Sequence, residues 1–176
     1  MKALTLRDVY VEQLSNLYRA ETQLIEALPG MIDVPYSSGL IHGIEHQIKR
    51  AQERVEFLEE IFSKLAEKPP GEKCQMMTAL IACGVEVLKV NATPASMDAL
   101  FLSVARHIVH YKIAAYKTAE TLAVKLGEEE AARLLFASLH EDLDIDDDLA
   151  ESMRAINAEA EKFQIEMIPT AAVEAA

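Results

Sequence analysis

"LYRAETQL", residues 17–24, places a glutamate where the apolar repeat of a helix predicts a leucine. The apolar positions around it are spaced three or four residues apart: Leu6, Val9 or Tyr10, Leu14, Leu17, Leu24 and Leu28. This spacing is typical of the inward face of a helix in a bundle. Glu21 lies in the middle of that face, so the sequence predicts a carboxylate inside a helical core.

The composition favours helix over sheet. Hydrophobic residues make up 51% of the 176 residues and glycine and proline number six each, a mixture in which Ala, Leu and Glu, good helix formers, are frequent. This length is enough for one domain with a sizeable core. We expect a single domain over 1–165 and a flexible tail over 166–176.

The charge of the chain excludes two classes of partner. A formal net charge of −12 repels nucleic acid and anionic membrane surfaces. No apolar run approaches the length of a membrane span, and the N-terminus lacks the apolar region of a signal peptide. We therefore expect a soluble, cytoplasmic protein. Cys74 and Cys83, nine residues apart on one predicted helix, would face different sides and remain reduced thiols.

Five helices are predicted from periodicity and from their breakers. Thr5 and Asp8 form a capping-box pattern, and Pro29, Gly30 and Pro35 end the first helix. The segment "EKPPGEK" (67–73) ends the second, and Gly127 is the expected C-cap of the fourth. The predicted spans are Leu6 to Leu28, Ser37 or Ser38 to Leu65, Cys74 to Val90, Ser96 to Leu126, and Glu128 to Glu161.

The connections between these helices predict the topology. Short turns pair the first helix with the second and the fourth with the fifth, while about thirty residues, carrying the short third helix, separate the two hairpins. A connection of that length can cross the whole bundle. The expected fold is all-α: a ferritin-like four-helix bundle with a long crossover carrying a short extra helix.

Bundles of this connectivity hold di-iron sites built from one Glu on each of two helices and a Glu-x-x-His pair on each of the other two. Glu21 fits a single-Glu position, and Asp142 and Asp146 lie one turn apart on the inward face of the fifth helix. The middle of the second helix contains no Glu-x-x-His, and Val109 lies at the inward centre of the fourth. Spacing alone therefore leaves half of the ligand set missing.

The sequence resembles the YciF/YciE family of bacterial ferritin-like proteins, also called DUF892, over about residues 5–155. Five segments in order carry the resemblance: "LYRAETQL" (17–24), "VEFLEEIF" (55–62), "KCQMMTALI" (73–81), "HYKIAAYKTAETLAVKLG" (110–127) and "AARLLFASLHEDLDIDDDLAE" (131–151). The resemblance implies a di-iron-type site, a stress-related setting and a homodimer. Leu28 and Phe57 are expected to be exposed apolar residues that support the dimer.

The resemblance also implies which ligand positions are lost. Glu21 matches the family's first-helix glutamate, and the acidic pair of the fifth helix becomes Glu141 and Asp142, with Asp146 retained. Four positions expected to hold ligands have other residues: Lys49 and Gln52 in the second helix, Cys83 in the crossover and Val109 in the fourth helix. A shift of one residue in the second helix would place Arg50 instead of Lys49.

A protonated lysine has no lone pair and repels metal cations. We therefore expect Glu21 and Asp142 to be neutralised by Lys49, with Lys112 as a second candidate, in a salt-bridged relic of a metal site. The expected protein is metal-free, without cofactors and non-enzymatic, with a structural or binding role whose protein partner the sequence does not name.

The alternative is a protein that binds iron or another divalent cation and has iron-, oxygen- or peroxide-related activity. Its reduced ligand set would be Glu21, Asp142 and Asp146 with Glu141 or His110.

Other polar groups have plainer interpretations. His42, Glu45 and His46, and the pair His107 and His110, have spacings that can bind Zn²⁺, but such histidines are more often surface residues. Tyr111 and Tyr116 are interpreted as packing aromatics whose hydroxyls bond polar groups.

Overall fold

The computed structural model describes residues 4–32 and 37–167, with side chains to residue 156. Every regular element in this part of the chain is helical, which confirms the predicted class. The long helices and the short crossover helix are α1 (Leu6–Ala27), α2 (Ser38–Lys64), α3 (Gln75–Val87), α4 (Pro94–Leu126) and α5 (Glu129–Met167), and a 3₁₀ turn (Leu28–Met31) follows α1.

The helix ends follow their capping residues. The Thr5 hydroxyl accepts from the Asp8 backbone N–H at 3.2 Å, and the Asp8 carboxylate accepts from the Thr5 backbone N–H at 2.8 Å, so the predicted capping box is present. Gly127 ends α4 in the left-handed conformation, with φ of 78°. Since a side chain disfavours that conformation, glycine is the residue this C-cap requires.

The topology is that of a one-crossover bundle. Gly127 and Glu128 alone separate α4 from α5, which makes those two helices an antiparallel hairpin, and α1 and α2 form the other hairpin. Residues 65–93 join the two hairpins, and α3 within them packs on α4 and α1. Helix α5 continues beyond the expected end near Glu161. The expected break at Pro35 and most of the expected tail (168–176) lie outside the described residues.

The core is densely packed toward the α4–α5 turn. Tyr10, Leu14 and Leu17 of α1 meet Leu58 and Phe62 of α2 there, all fully buried. Alanines bring α4 and α5 close to this cluster, namely Ala115, Ala119, Ala123, Ala131 and Ala132. A smaller cluster at the other half joins Leu24 to Met77 and Ile108. Between the two halves lies the layer that contains Glu21.

Leu28 and Phe57 do not form the exposed apolar face that was expected. Both are half-buried and pack against the core, so that expectation is wrong.

The two cysteines are free thiols in different surroundings. Cys74 is buried, with its Sγ 3.2 Å from the Tyr111 hydroxyl, whereas Cys83 is exposed. None of the helices in the described ranges is long and apolar enough to cross a membrane.

Candidate functional site

Glu21 lies fully buried at the centre of the bundle, as the α1 periodicity predicts. Its Oε1 accepts a hydrogen bond from the Tyr116 hydroxyl at 2.8 Å. Two cations approach the same oxygen: Arg54 Nη1 at 3.3 Å and Lys112 Nζ at 3.4 Å. The carboxylate of α1 is therefore neutralised by side chains from α2 and α4.

Asp142 of α5 completes the arrangement from the opposite side. Its Oδ1 lies 2.9 Å from Arg54 Nη1 and 3.2 Å from Lys112 Nζ, and the residue is fully buried. Two acids and two cations, one from each long helix, thus form a closed ionic set in which each cation contacts each acid. We call these four residues and Tyr116 the core ion cluster.

Arg54 connects the core ion cluster to further groups of α5 and to the Tyr116 ring. Its Nη2 donates to the Ser138 carbonyl oxygen at 3.2 Å and lies 3.2 Å from Glu141 Oε2. Its guanidinium also lies over the Tyr116 ring, 5.2 Å from the centroid, as in a cation–π contact. Glu141 is partly exposed and is bound in turn by Arg50 at 2.7 Å. The buried charges are thereby linked to an ion pair at the surface between α2 and α5.

The electrostatics of the two acids differ although they share their cations. Burial raises the pKa of Glu21, but the charges of Lys112 and Arg54 and the Tyr116 hydrogen bond outweigh burial, so this pKa is lowered. Burial also raises the pKa of Asp142, and here the two cations do not compensate, because Asp142 is repelled by Glu21 and receives no hydroxyl donor. The pKa values of the two acids are therefore shifted in opposite directions.

Some polar atoms of the cluster have no hydrogen-bond partner among the described residues. Glu21 Oε2, Asp142 Oδ2 and Arg54 Nε are buried and unpaired. An unsatisfied buried polar atom costs about 1–3 kcal/mol, so the charge pairing has to offset that loss as well as the desolvation of four charges. Breaking the set by removing a single charge should consequently be far more costly than at a surface ion pair.

The prediction that Lys49 of α2 neutralises the core acids is wrong. Lys49 is 75% exposed and lies 3.9 Å from Glu53 on the solvent side, and Gln52 is also exposed. Arg54 enters the core instead, and the one-residue shift to Arg50 does not reach it either. Five residues of α-helix rotate a side chain by about 500°, which puts Lys49 roughly 140° around the helix from Arg54.

Arg54 could have been found from the sequence. Ala51, Arg54 and Leu58 continue the alternating three- and four-residue spacing of the α2 stripe, and all three are buried. The sequence analysis instead places Lys49, or Arg50 after a shift of one residue, at the ligand position of the second helix. Lys112, the second cation considered, does lie in the core.

The remaining candidate residues lie outside the cluster. Asp146 pairs with Arg106 at 2.8 and 3.2 Å and with His110 Nε2 at 3.1 Å, and the hydrogen bond from Arg106 lowers the pKa of Asp146. Cys83 is exposed and so does not reach the core, whereas Val109 is buried. His42, His46, His107 and His110 are all exposed, and His42 contacts Glu45 at 3.2 Å.

The residues present do not fit a dinuclear metal centre. Within the described ranges, no three or more His, Cys, Asp and Glu side chains group where they could hold a metal ion. The two buried acids are already neutralised by Arg54 and Lys112, and neither cation can donate a lone pair to a metal. Two divalent ions would need several further negative ligands.

Comparison with known proteins identifies the family. The family model described as Domain of unknown function (DUF892) matches residues 5–161. The chain belongs to the DUF892 family. It is 29% identical over 163 residues to Protein YciF of Escherichia coli K12, covering 92% of this chain and 98% of YciF. The resemblance found in the sequence is thereby confirmed.

Solved structures agree with this assignment. The crystal structure of the E. coli stress protein YciF superposes with a TM-score of 0.84 at 28% identity, covering 89% of this chain and 99% of that one. YcfI of Rhodopseudomonas palustris superposes with a TM-score of 0.78 at 31% identity, covering 84% and 94%. A ferritin-like di-iron-carboxylate protein of Bacillus anthracis, 15% identical, gives 0.67 over 86% and 99% and shows the shared fold.

Removing one cation should destabilise the bundle. Lys112→Met leaves Glu21 and Asp142 with one guanidinium, and we expect a loss of about 3–5 kcal/mol in the free energy of unfolding, measured by urea denaturation. Combining Lys112→Met with Asp142→Leu restores neutrality, so the double variant should be more stable than Lys112→Met alone. Lys117→Met, exposed on the same helix, is the matched control and should change little. A double variant whose losses simply add would contradict ionic coupling.

Because the pKa of Glu21 is lowered, the free energy of unfolding should depend on pH. Because the folded-state pKa lies below the ordinary value of 4.5, ionised Glu21 contributes stability that is present above 4.5 and is lost as pH falls through the folded pKa. The stability gap between the parent and Glu21→Gln should therefore be widest near neutral pH and narrow below about 4.5. Urea unfolding across this range measures it, with Glu56→Gln, exposed on α2, as the control. A gap independent of pH would disprove the assignment.

Proposed function

We propose that this protein is a metal-free, non-enzymatic member of the DUF892 family that has a structural or binding role. The observation that supports this most is that Arg54 and Lys112 each contact both core acids, at 2.9–3.4 Å. In this proposal the polypeptide supplies the positive charge that a di-iron bundle takes from metal ions, and no oxidation or peroxide chemistry is assigned to the core.

Charge repulsion supports the exclusion of metal. A divalent ion about 4 Å from an ammonium or guanidinium is repelled by about 8 kcal/mol at an effective dielectric constant of 20. A metal ion bridging Glu21 and Asp142 would lie near both cations at once. It would also have to displace the hydrogen bond that Tyr116 donates to Glu21. Binding therefore requires that the cations leave, and both are buried.

The relatives point to the setting of this role. YciF of E. coli is described as a stress protein, and the description of YcfI from R. palustris proposes a structural role. Both match this chain over more than four-fifths of its length. We propose a stress-related protein, and this part of the proposal rests on those relatives alone. The cytoplasmic location expected from the sequence stays a prediction.

A second candidate function is residual binding of a divalent cation. The observation that favours it is that Glu21 Oε2 and Asp142 Oδ2 are buried, and that no group in the part of the chain that the structure describes forms a hydrogen bond to either oxygen. Carboxylate oxygens are the ligands that hard cations prefer. With so few donors, such a site would suit one ion, not two.

Metal content separates the two candidates. Protein purified without chelators and loaded with Fe²⁺ or Mn²⁺ should contain substoichiometric metal by elemental analysis. Arg54→His combined with Lys112→Glu replaces both core cations with donor groups and should bind divalent ions with a stoichiometry near one or two. Lys49→His with Lys117→Glu introduces the same two residue types at exposed positions of the same helices and should not bind metal. Stoichiometric metal in the parent protein would establish the second candidate instead.

A homodimer is also part of the proposal. Phe136 and Leu143, 51% and 40% exposed, lie on one face of α5, seven residues apart, and the Phe136 ring makes an edge contact with the His140 ring, with 4.1 Å between the centroids. An exposed aromatic next to an aliphatic residue is common at interfaces between copies of a chain.

Replacing this pair tests the dimer. Phe136→Asp with Leu143→Asp should halve the mass measured by light scattering, because two charges would be buried without partners at the interface. Val124→Asp, 61% exposed on α4, is the control and should leave the mass unchanged. A parent protein with the mass of a single chain would rule the dimer out.

A further inference from the structure

The bundle contains a large cavity on the side of the core ion cluster away from the α4–α5 turn. Its volume is about 640 Å³, and residues from all four long helices line it. We call it the bundle cavity. Its inner wall consists of buried apolar side chains: Leu24, Ile44, Phe101, Leu102, Ile108 and Val109. A volume of this size is within the range of about 300–1,000 Å³ that is typical of small-molecule sites.

The inner end of the bundle cavity offers apolar surface. Lys112 is the charged residue of the core ion cluster that reaches the lining, and its ammonium already contacts Glu21 and Asp142, neither of which lines the cavity. An incoming anion would have to compete with two buried carboxylates for that ammonium. A group bound at this end is therefore favoured when it is apolar.

Polar side chains also line the bundle cavity, and one of them, Asp98 of α4, is buried. His46 and Gln47 of α2 line it together with Asp148 and Ser152 of α5, and His46 and Asp148 are exposed. These side chains supply both hydrogen-bond donors and acceptors. A small number of polar groups around an apolar interior is the usual composition of a ligand site, in which they fix the orientation of the ligand.

We propose that the bundle cavity binds an uncharged, mainly apolar small molecule whose polar end lies beside His46, Gln47, Asp148 and Ser152. The net charge of −12 and the two acidic residues in the lining, Asp98 and Asp148, disfavour an anionic ligand. The occupant is a small molecule and not a second chain, because the inner wall is made of side chains already buried inside one bundle. This proposal names a ligand class for the binding role proposed above, and it rests on that proposed role.

Fluorescence titration with N-phenyl-1-naphthylamine, an uncharged apolar dye, tests the proposal. We expect saturable binding to the full chain with one dye per chain and a blue-shifted emission. Val109→Phe places a ring in the bundle cavity and should weaken dye binding by about tenfold or more, since the added side chain occupies ligand volume. Ala137→Phe, exposed on α5 and outside the lining, adds the same ring elsewhere and should bind the dye as the parent does.

Further measurements keep the test decisive. If Val109→Phe unfolds, which its circular dichroism would show, Ala105→Phe fills the bundle cavity from a half-buried position and should give the same loss. The proposal is wrong if the parent shows no saturable binding, if both filling variants bind as the parent does, or if one dye binds per two chains. The metal measurement above does not depend on this dye, so the two proposals can fail separately.

Discussion

The pairing of two buried cations with two buried acids is the constraint on which the rest of this bundle depends. Taking four charges out of water costs several kcal/mol for each ion, and their mutual attraction offsets that cost only when the geometry is close. Here each long helix supplies one charge, so the geometry is met only when all four helices are in register. Glu21, Arg54, Lys112 and Asp142 thereby fix positions that apolar packing alone would leave free to slide.

The ion pairs matter most between α2 and α5, because these two helices pack little against each other. Arg54 reaches across to Asp142, Glu141 and the Ser138 carbonyl, and Arg50 adds a second contact to Glu141. On one side of this contact the alanines of α4 and α5 allow close packing. On the other side the helices enclose the bundle cavity. The core ion cluster therefore lies between the larger apolar cluster and the bundle cavity.

How far the sequence predicts this structure depends on the residue type. Helix number, caps and the inward position of Glu21 follow from apolar period and breakers, since neighbouring apolar residues fix the face on which a charge lies. Arg54 was missed because the family resemblance pointed to Lys49 or Arg50, although the spacing of Arg54 from Ala51 and Leu58 is that of the buried face of α2. Lys112 and Asp142 were both identified from the sequence as members of a buried ion pair, and both lie in the core.

Other features could not be predicted because they depend on how helices approach each other. The bundle cavity lies among residues of all four long helices, most of them with ordinary apolar side chains, and no local sequence pattern predicts the space between helices. The opposite pKa shifts of Glu21 and Asp142 likewise arise from burial, from the two cations of α2 and α4, and from the Tyr116 hydroxyl, which donates to Glu21. These groups come from other helices, so the electrostatics of the core are set by tertiary contacts and not by the acids' positions in the chain.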